Sequence, residues 1–142
     1  MRVRALLIML SMALGVLLLG GGVALAANID GTPGADDLVG TDQADVIHGS
    51  GGKDYISGLA AADLLYGGAD KDTVVGREDN DRIYGNTGSD LLFGNEGNDT
   101  IYSGGDRGKD IVKCGLGKKD TAYVDKEDRV KNNCEHLFLR VR

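Results

Sequence analysis

No tryptophan, a single proline, two histidines and two cysteines occur in the 142 residues, and the aromatic complement is five tyrosines and two phenylalanines. Each scarcity excludes something. A chain with 23 glycines and so few large rings is poorly equipped for a bulky core. Glycine at that frequency costs chain entropy, so something besides side-chain burial must hold the fold. Only His48 and His136 are available for imidazole chemistry, and neither a His-Glu-x-x-His nor a Gly-x-Ser-x-Gly stretch is present. No catalytic constellation stands out, and the expectation is a protein that is not an enzyme. Basic residues are scarce over 31–102, with 4 against 14 acidic ones, a net charge of −10. Such a surface excludes nucleic acid as partner and favours a cation. The length allows one domain.

What the chain does have is a repeat. Over 31–102 every ninth residue is glycine: Gly31, Gly40, Gly49, Gly58, Gly67, Gly76, Gly85 and Gly94. Five residues after each stands an aspartate: Asp36, Asp45, Asp54, Asp63, Asp72, Asp81, Asp90 and Asp99. Two further on comes an aliphatic residue: Leu38, Ile47, Ile56, Leu65, Val74, Ile83, Leu92 and Ile101. The glycine-rich half of each unit suits a turn. The x-aliphatic-x half suits a short strand with one side chain pointing inward. Two units then make one coil of a flattened solenoid, with odd units stacked on odd and even on even at about 4.8 Å. Stacking lines up Asp36, Asp54, Asp72 and Asp90 in one column and Asp45, Asp63, Asp81 and Asp99 in the other. Bare carboxylates about 5 Å apart repel. Calcium, which takes six to eight oxygens and accepts carbonyls as readily as carboxylates, resolves the repulsion. Four stacked turns a side leave three gaps, a geometric maximum of six ions, and four to six Ca2+ are expected. The alternative is a dry solenoid in which aspartates cap turns.

The pattern Gly-Gly-x-Gly-x-Asp-x-aliphatic-x resembles the calcium-binding nonapeptide of the RTX family. The resemblance implies an all-β fold, a right-handed parallel β-solenoid (β-roll) with two nonapeptide units per coil. It implies turns that share calcium through aspartate carboxylates and backbone carbonyls, and it places the eight aspartates as ligands. The first glycine matches in all eight units, the second only at Gly68, and the fourth-position glycine at Gly34, Gly52, Gly88 and Gly97. That fourth position is otherwise Gln43, Ala61, Asp70 and Asp79. The unit 58–66 departs most, having lost its other turn glycines, so the even column is expected to be the less well formed. Asn80 and Asn98 could add side-chain oxygens. Proteases, lipases and pore-forming toxins of the family carry their activities in other domains, for which this chain has no room.

The flanks complete the expected organisation: a signal peptide over 1–26, the roll over 27–102, and an irregular C-terminal cap over 103–142. Arg2 and Arg4 precede an apolar run over 5–19, followed by a small-x-small site at Ala24-Leu25-Ala26. This reads as a secretory signal, with an uncleaved anchor as the alternative. A cleaved product would carry −8, since −6 minus the two arginines gives −8. It would be secreted, extracellular, and not stably inserted in a membrane. Beyond Tyr102 the rhythm continues irregularly, with Asp110, Asp120 and Asp128 followed by Val112, Ala122 and Val130. The lysines at 109, 113, 118 and 119 read as a solvated face, or as a contact for an anionic envelope. Cys114 and Cys134 stand 20 residues apart, near one coil of 18, which places them within disulfide reach in an oxidising compartment; two free thiols or a metal pair are the alternatives. The tail from Cys134 to Leu139 is expected to pack apolar residues over the open end. His48, Tyr66, Tyr84 and Tyr102 recur at the last position of even units. They form either a self-stacking column or a carbohydrate or protein contact face, the latter giving a calcium-dependent cell-surface or matrix interaction protein.

Overall fold

The computed structural model describes residues 25–131 and 133–140. Most of the expected signal segment, residues 1–24, lies outside them. Among the described residues, thirteen short strands alternate between two parallel sheets. One sheet has the order β1(Asn28–Asp30), β3(Val46–His48), β5(Leu64–Ala69), β7(Arg82–Thr87), β9(Thr100–Tyr102), β11(Thr121–Val124), β13(His136–Leu139). The other has the order β2(Asp37–Val39), β4(Tyr55–Leu59), β6(Thr73–Arg77), β8(Leu91–Glu96), β10(Ile111–Leu116), β12(Arg129–Val130). Odd and even strands never mix. The chain is thus an all-β parallel solenoid of about six turns with two repeat units per coil. Among the described residues there is no helix, and so none long and apolar enough to cross a membrane.

Each unit contributes one inward aliphatic side chain. The eight expected aliphatics are all buried, and Val112, Cys114, Ala122 and Val124 extend the same core. The register keeps like on like, with Ile47 paired to Leu65, Leu65 to Ile83 and Ile83 to Ile101. A core one side chain wide per unit suffices because the backbone ladder carries the stack.

The central strands are longer than the three residues expected. β5 continues past Tyr66, pairing Gly68 with Asn86 and Ala69 with Thr87. The cause lies in the turns. From Gly49 onward the second and fourth positions of each unit take positive φ: Ser50 and Gly52, Leu59 and Ala61, Gly68 and Asp70, Arg77 and Asp79, Asn86 and Gly88, Asn95 and Gly97. Stacked units bend at the same place, so hydrogen bonds continue around the bend. Leu59, Ala61 and Arg77 hold a left-handed backbone that disfavours side chains with a Cβ.

The last coils change length without leaving the stack. Successive partners in the two columns are 18 residues apart through the repeat, then 20, 21, 18 and 15. β10 pairs in register with β8, and β11 with β9. Cys114 and Cys134 form a disulfide with Cα atoms 5.3 Å apart. The tail differs from expectation. Instead of packing over the open end, residues 136–139 add a strand to β11, and Leu137, Phe138 and Leu139 stay 48, 51 and 63 % exposed. Backbone pairing with β11 governs it.

Candidate metal centre

The strand-and-turn unit delivers each aspartate to the point where turn becomes strand, pointing inward. Asp45, Asp54, Asp63, Asp72, Asp81, Asp90 and Asp99 are all at least 96 % buried, and Asp36, in the outermost turn, is half-buried. One carboxylate oxygen has the same task throughout. Oδ1 of Asp54 accepts the backbone N–H of Asp36 at 2.8 Å, and Asp72 accepts that of Asp54 at 2.9 Å. Asp63, Asp81, Asp90 and Asp99 repeat the bond one coil earlier. The two columns anticipated from sequence are therefore two hydrogen-bonded ladders. Asp63 holds its rung at 2.8 Å although its turn has lost its glycines.

The second oxygen divides the aspartates. In the outermost turns it is satisfied: Oδ2 of Asp36 accepts from the Thr32 N–H and hydroxyl, and that of Asp45 from the same groups of Thr41. In Asp54, Asp63, Asp72, Asp81, Asp90 and Asp99, Oδ2 is buried with no hydrogen-bond partner. A buried acceptor left unmatched is costly, and six in register call for a common partner.

That oxygen also accounts for the invariant first glycine. A methyl built on Gly67 would lie 2.8 Å from Asp72 Oδ2 and 2.8 Å from the carbonyl oxygen of Gly85 in the next coil. At Gly40 the corresponding oxygens, from Asp45 and Gly58, are each 2.5 Å away. The missing side chain leaves a cradle in which the aspartate of the same unit and a carbonyl of the next coil converge. Continuing this row, Ser103 supplies the carbonyl at Gly85, and Cys114 supplies it at Gly94.

Burial sets the electrostatics. Removal from water pushes Asp63 and Asp72 up to about 6, Asp90 and Asp99 to about 7, and Asp81 to about 8. The backbone N–H bond opposes each shift, and neighbouring carboxylates of the column add to it. Asp54 is raised for the same reasons.

A hard cation suits this donor set. It would meet unpartnered carboxylate oxygens and turn carbonyls, both of which calcium accepts. Among the described residues no group of three or more His, Cys, Asp or Glu side chains could hold a metal by itself, so a zinc-type site is not built here. The oxygens of Asn80 and Asn98 are otherwise engaged, accepting the N–H of Asn98 at 2.6 Å and of Lys118 at 3.1 Å.

The sequence placed the last expected ligand at Asp99, but the hydrogen-bonded aspartate columns run further. Asp90 donates its N–H to Asp110, and Asp99 donates to Asp120, both at 2.8 Å. Asp110 is pushed up to about 7, mainly by burial. The aspartate-x-aliphatic rhythm was the available signal, obscured by the changed coil length.

On the outer face of the seven-stranded sheet, His48, Tyr66, Tyr84, Tyr102, Tyr123 and Phe138 stack with ring centroids 4.7–5.0 Å apart. Tyr123 and Phe138 extend the column read from sequence. The ring faces are spent on one another, which stabilises the sheet. His48 Nδ1 lies 2.9 Å from Asp30, away from the aspartate columns. All four lysines at 109, 113, 118 and 119 are exposed.

Comparison with known proteins gives one family. The profile of the RTX calcium-binding nonapeptide repeat, present in 4 copies, matches residues 30–65, 54–83 and 75–112. No curated protein and no solved structure matches.

Proposed function

The chain belongs to the RTX calcium-binding nonapeptide repeat family, and on that premise we propose that it is a secreted, non-enzymatic calcium-binding roll that folds on taking up several Ca2+ ions between its stacked turns. The observation that carries this is the row of six buried Oδ2 atoms without partners, each converging with a carbonyl of the next coil. Asp54, Asp63, Asp72, Asp81, Asp90 and Asp99 would hold the ions, within the four to six expected. Asp36 and Asp45, already satisfied by Thr32 and Thr41, would serve as a closed first coil.

When bound, calcium supplies a positive charge that permits every carboxylate to be ionised in a dry interior. The chain's own residues do the rest. Backbone N–H groups orient each carboxylate, first-position glycines keep the cradle open, and the aliphatic column excludes water. Without the ion, column repulsion and glycine entropy oppose the coil, so binding and folding are coupled. Affinity in the range of extracellular modules, about 0.1–1 mM, is expected.

A calorimetric calcium titration of the purified protein, paired with far-UV circular dichroism in calcium and in chelator, tests this. Uptake of several ions with a gain of β-structure is the expected result. A chain that is fully folded in chelator and indifferent to calcium would refute it.

A further inference from the structure

We propose that the roll holds a further calcium site beyond the nonapeptide repeat, built from the carboxylate of Asp120 and the carbonyl oxygen of Gly97, one rung past Asp99. It rests on the calcium reading above and goes past the residues that the family profile matches, which end at 112. Asp120 is fully buried. Its Oδ1 accepts the Asp99 N–H at 2.8 Å, and its Oδ2 has no partner, the same division of labour as in the six repeat aspartates.

The space beside that oxygen differs from the repeat cradles: it lies above the turn glycine Gly117, and its carbonyl comes from the preceding coil. A methyl built on Gly117 would run into the Gly97 carbonyl oxygen and both carboxylate oxygens of Asp120, with Oδ2 at 2.7 Å. Three oxygens therefore surround a space that no side chain can enter. The coil here is 21 residues long, so position counting cannot find it. A surface hollow lined by Gly97, Asn98, Leu116, Gly117, Lys118 and Lys119 gives an ion a way in. The two lysines on its rim oppose a cation, so this site fills last.

The disulfide braces the same rung from both sides. The Cys114 carbonyl stands against Gly94 beside Asp99 Oδ2, where the repeat would place a glycine carbonyl. Cys134 precedes Glu135, whose carboxylate accepts the Asp120 N–H at 2.8 Å. The other column ends differently. Asp128 has both oxygens engaged, Oδ1 by the Asp110 N–H at 3.0 Å and Oδ2 by Ser103 at 2.6 Å and the Asp125 N–H at 2.7 Å. One column thus closes with a protein cap, and the other closes with an ion site.

The test is ion counting on the full chain by native mass spectrometry and calcium calorimetry. Asp120→Asn, which keeps the Oδ1 acceptor, and Gly117→Ala, which fills the space while leaving Asp120 itself unsubstituted, should each bind one ion fewer than wild type and lose the weakest binding phase. Asp42→Asn, on an exposed turn, should keep the full count. Retention of every ion by both test variants, or loss of several at once, would overturn the site. Asp72→Asn separates the two levels. If it loses calcium and the test variants do not, only this inference fails; if wild type binds none, the calcium reading itself fails.

Discussion

Asp72→Asn distinguishes an ion-filled roll from a dry one, because its effect should change sign with calcium. The substitution keeps the oxygen that accepts the Asp54 N–H at 2.9 Å. It replaces the unpartnered Oδ2 with a neutral amide beside the Gly85 carbonyl. In chelator at neutral pH the wild-type carboxyl, held at about 6 by burial, is mostly ionised where charge is penalised. Leaving such a buried acceptor unmatched costs about 1–3 kcal/mol, so the variant should be more stable than wild type by about that amount. In calcium the order reverses. An ion present at a hundred times its dissociation constant stabilises by about 2.7 kcal/mol, so losing the two beside Asp72 costs about 5 kcal/mol, more than the gain of about 1–3 kcal/mol seen in chelator. Urea denaturation of both proteins, in chelator and in about 100 mM calcium, a hundred times a dissociation constant of about 1 mM, reads the difference as midpoint shifts of opposite direction. A shift of the same sign and size in both buffers would refute the reasoning, since Asp72 would then be only a turn-capping residue.

Gly67→Ala should lower stability by about 1–3 kcal/mol with or without calcium, as an overpacked cradle must shift coil against coil; an unchanged melting midpoint would show the cradle to be loose. Ala61→Gly relieves a φ of 67°. The left-handed penalty of about 1–2 kcal/mol, less about 0.4–1 kcal/mol for added freedom in the unfolded chain, leaves a gain of about 0.5–1 kcal/mol, seen as a rise of a few degrees in calcium. Acid should stabilise the chelated protein. Its carboxyls are raised from 3.8 to about 6, 7 and 8, so between those limits the folded state binds more protons than the unfolded chain. Stability is then greatest below about pH 4 and is lost as pH rises toward 8, whereas the stabilisation added by calcium should grow with pH; denaturation series across pH in both buffers check the two slopes. Opening the Cys114–Cys134 bridge by Cys134→Ser removes a 20-residue closure and should cost about 3 kcal/mol by the chain-entropy account, measured by urea midpoint under non-reducing conditions.

Asp63 and Asp120 show where the sequence was legible and where it was not. The unit 58–66 looked damaged, yet Asp63 makes the common bond, because the ladder around it imposes left-handed backbone on Leu59 and Ala61. Asp120 looked like part of a degenerate cap, yet it is buried and oriented as the repeat aspartates are, because the extra residues of its coil are absorbed in the turn while the strands stay in register. Asp36 and Asp45 hold the same place in their units as the other six but differ from them through Thr32 and Thr41. The tail was expected as an apolar lid and is an added strand instead.

The sequence by itself determined the parallel roll, its two-unit coil, its aliphatic column and its chemistry of oxygen ligands. A period of nine with one glycine, one aspartate and one aliphatic residue admits little else. Only the tertiary structure decided which carboxylate oxygens are buried without a hydrogen-bond partner. That depends on donors brought alongside from other coils and from neighbouring side chains, and on the empty space above particular glycines. Both are properties of stacked backbones, which a one-dimensional spacing cannot express once the coil length changes.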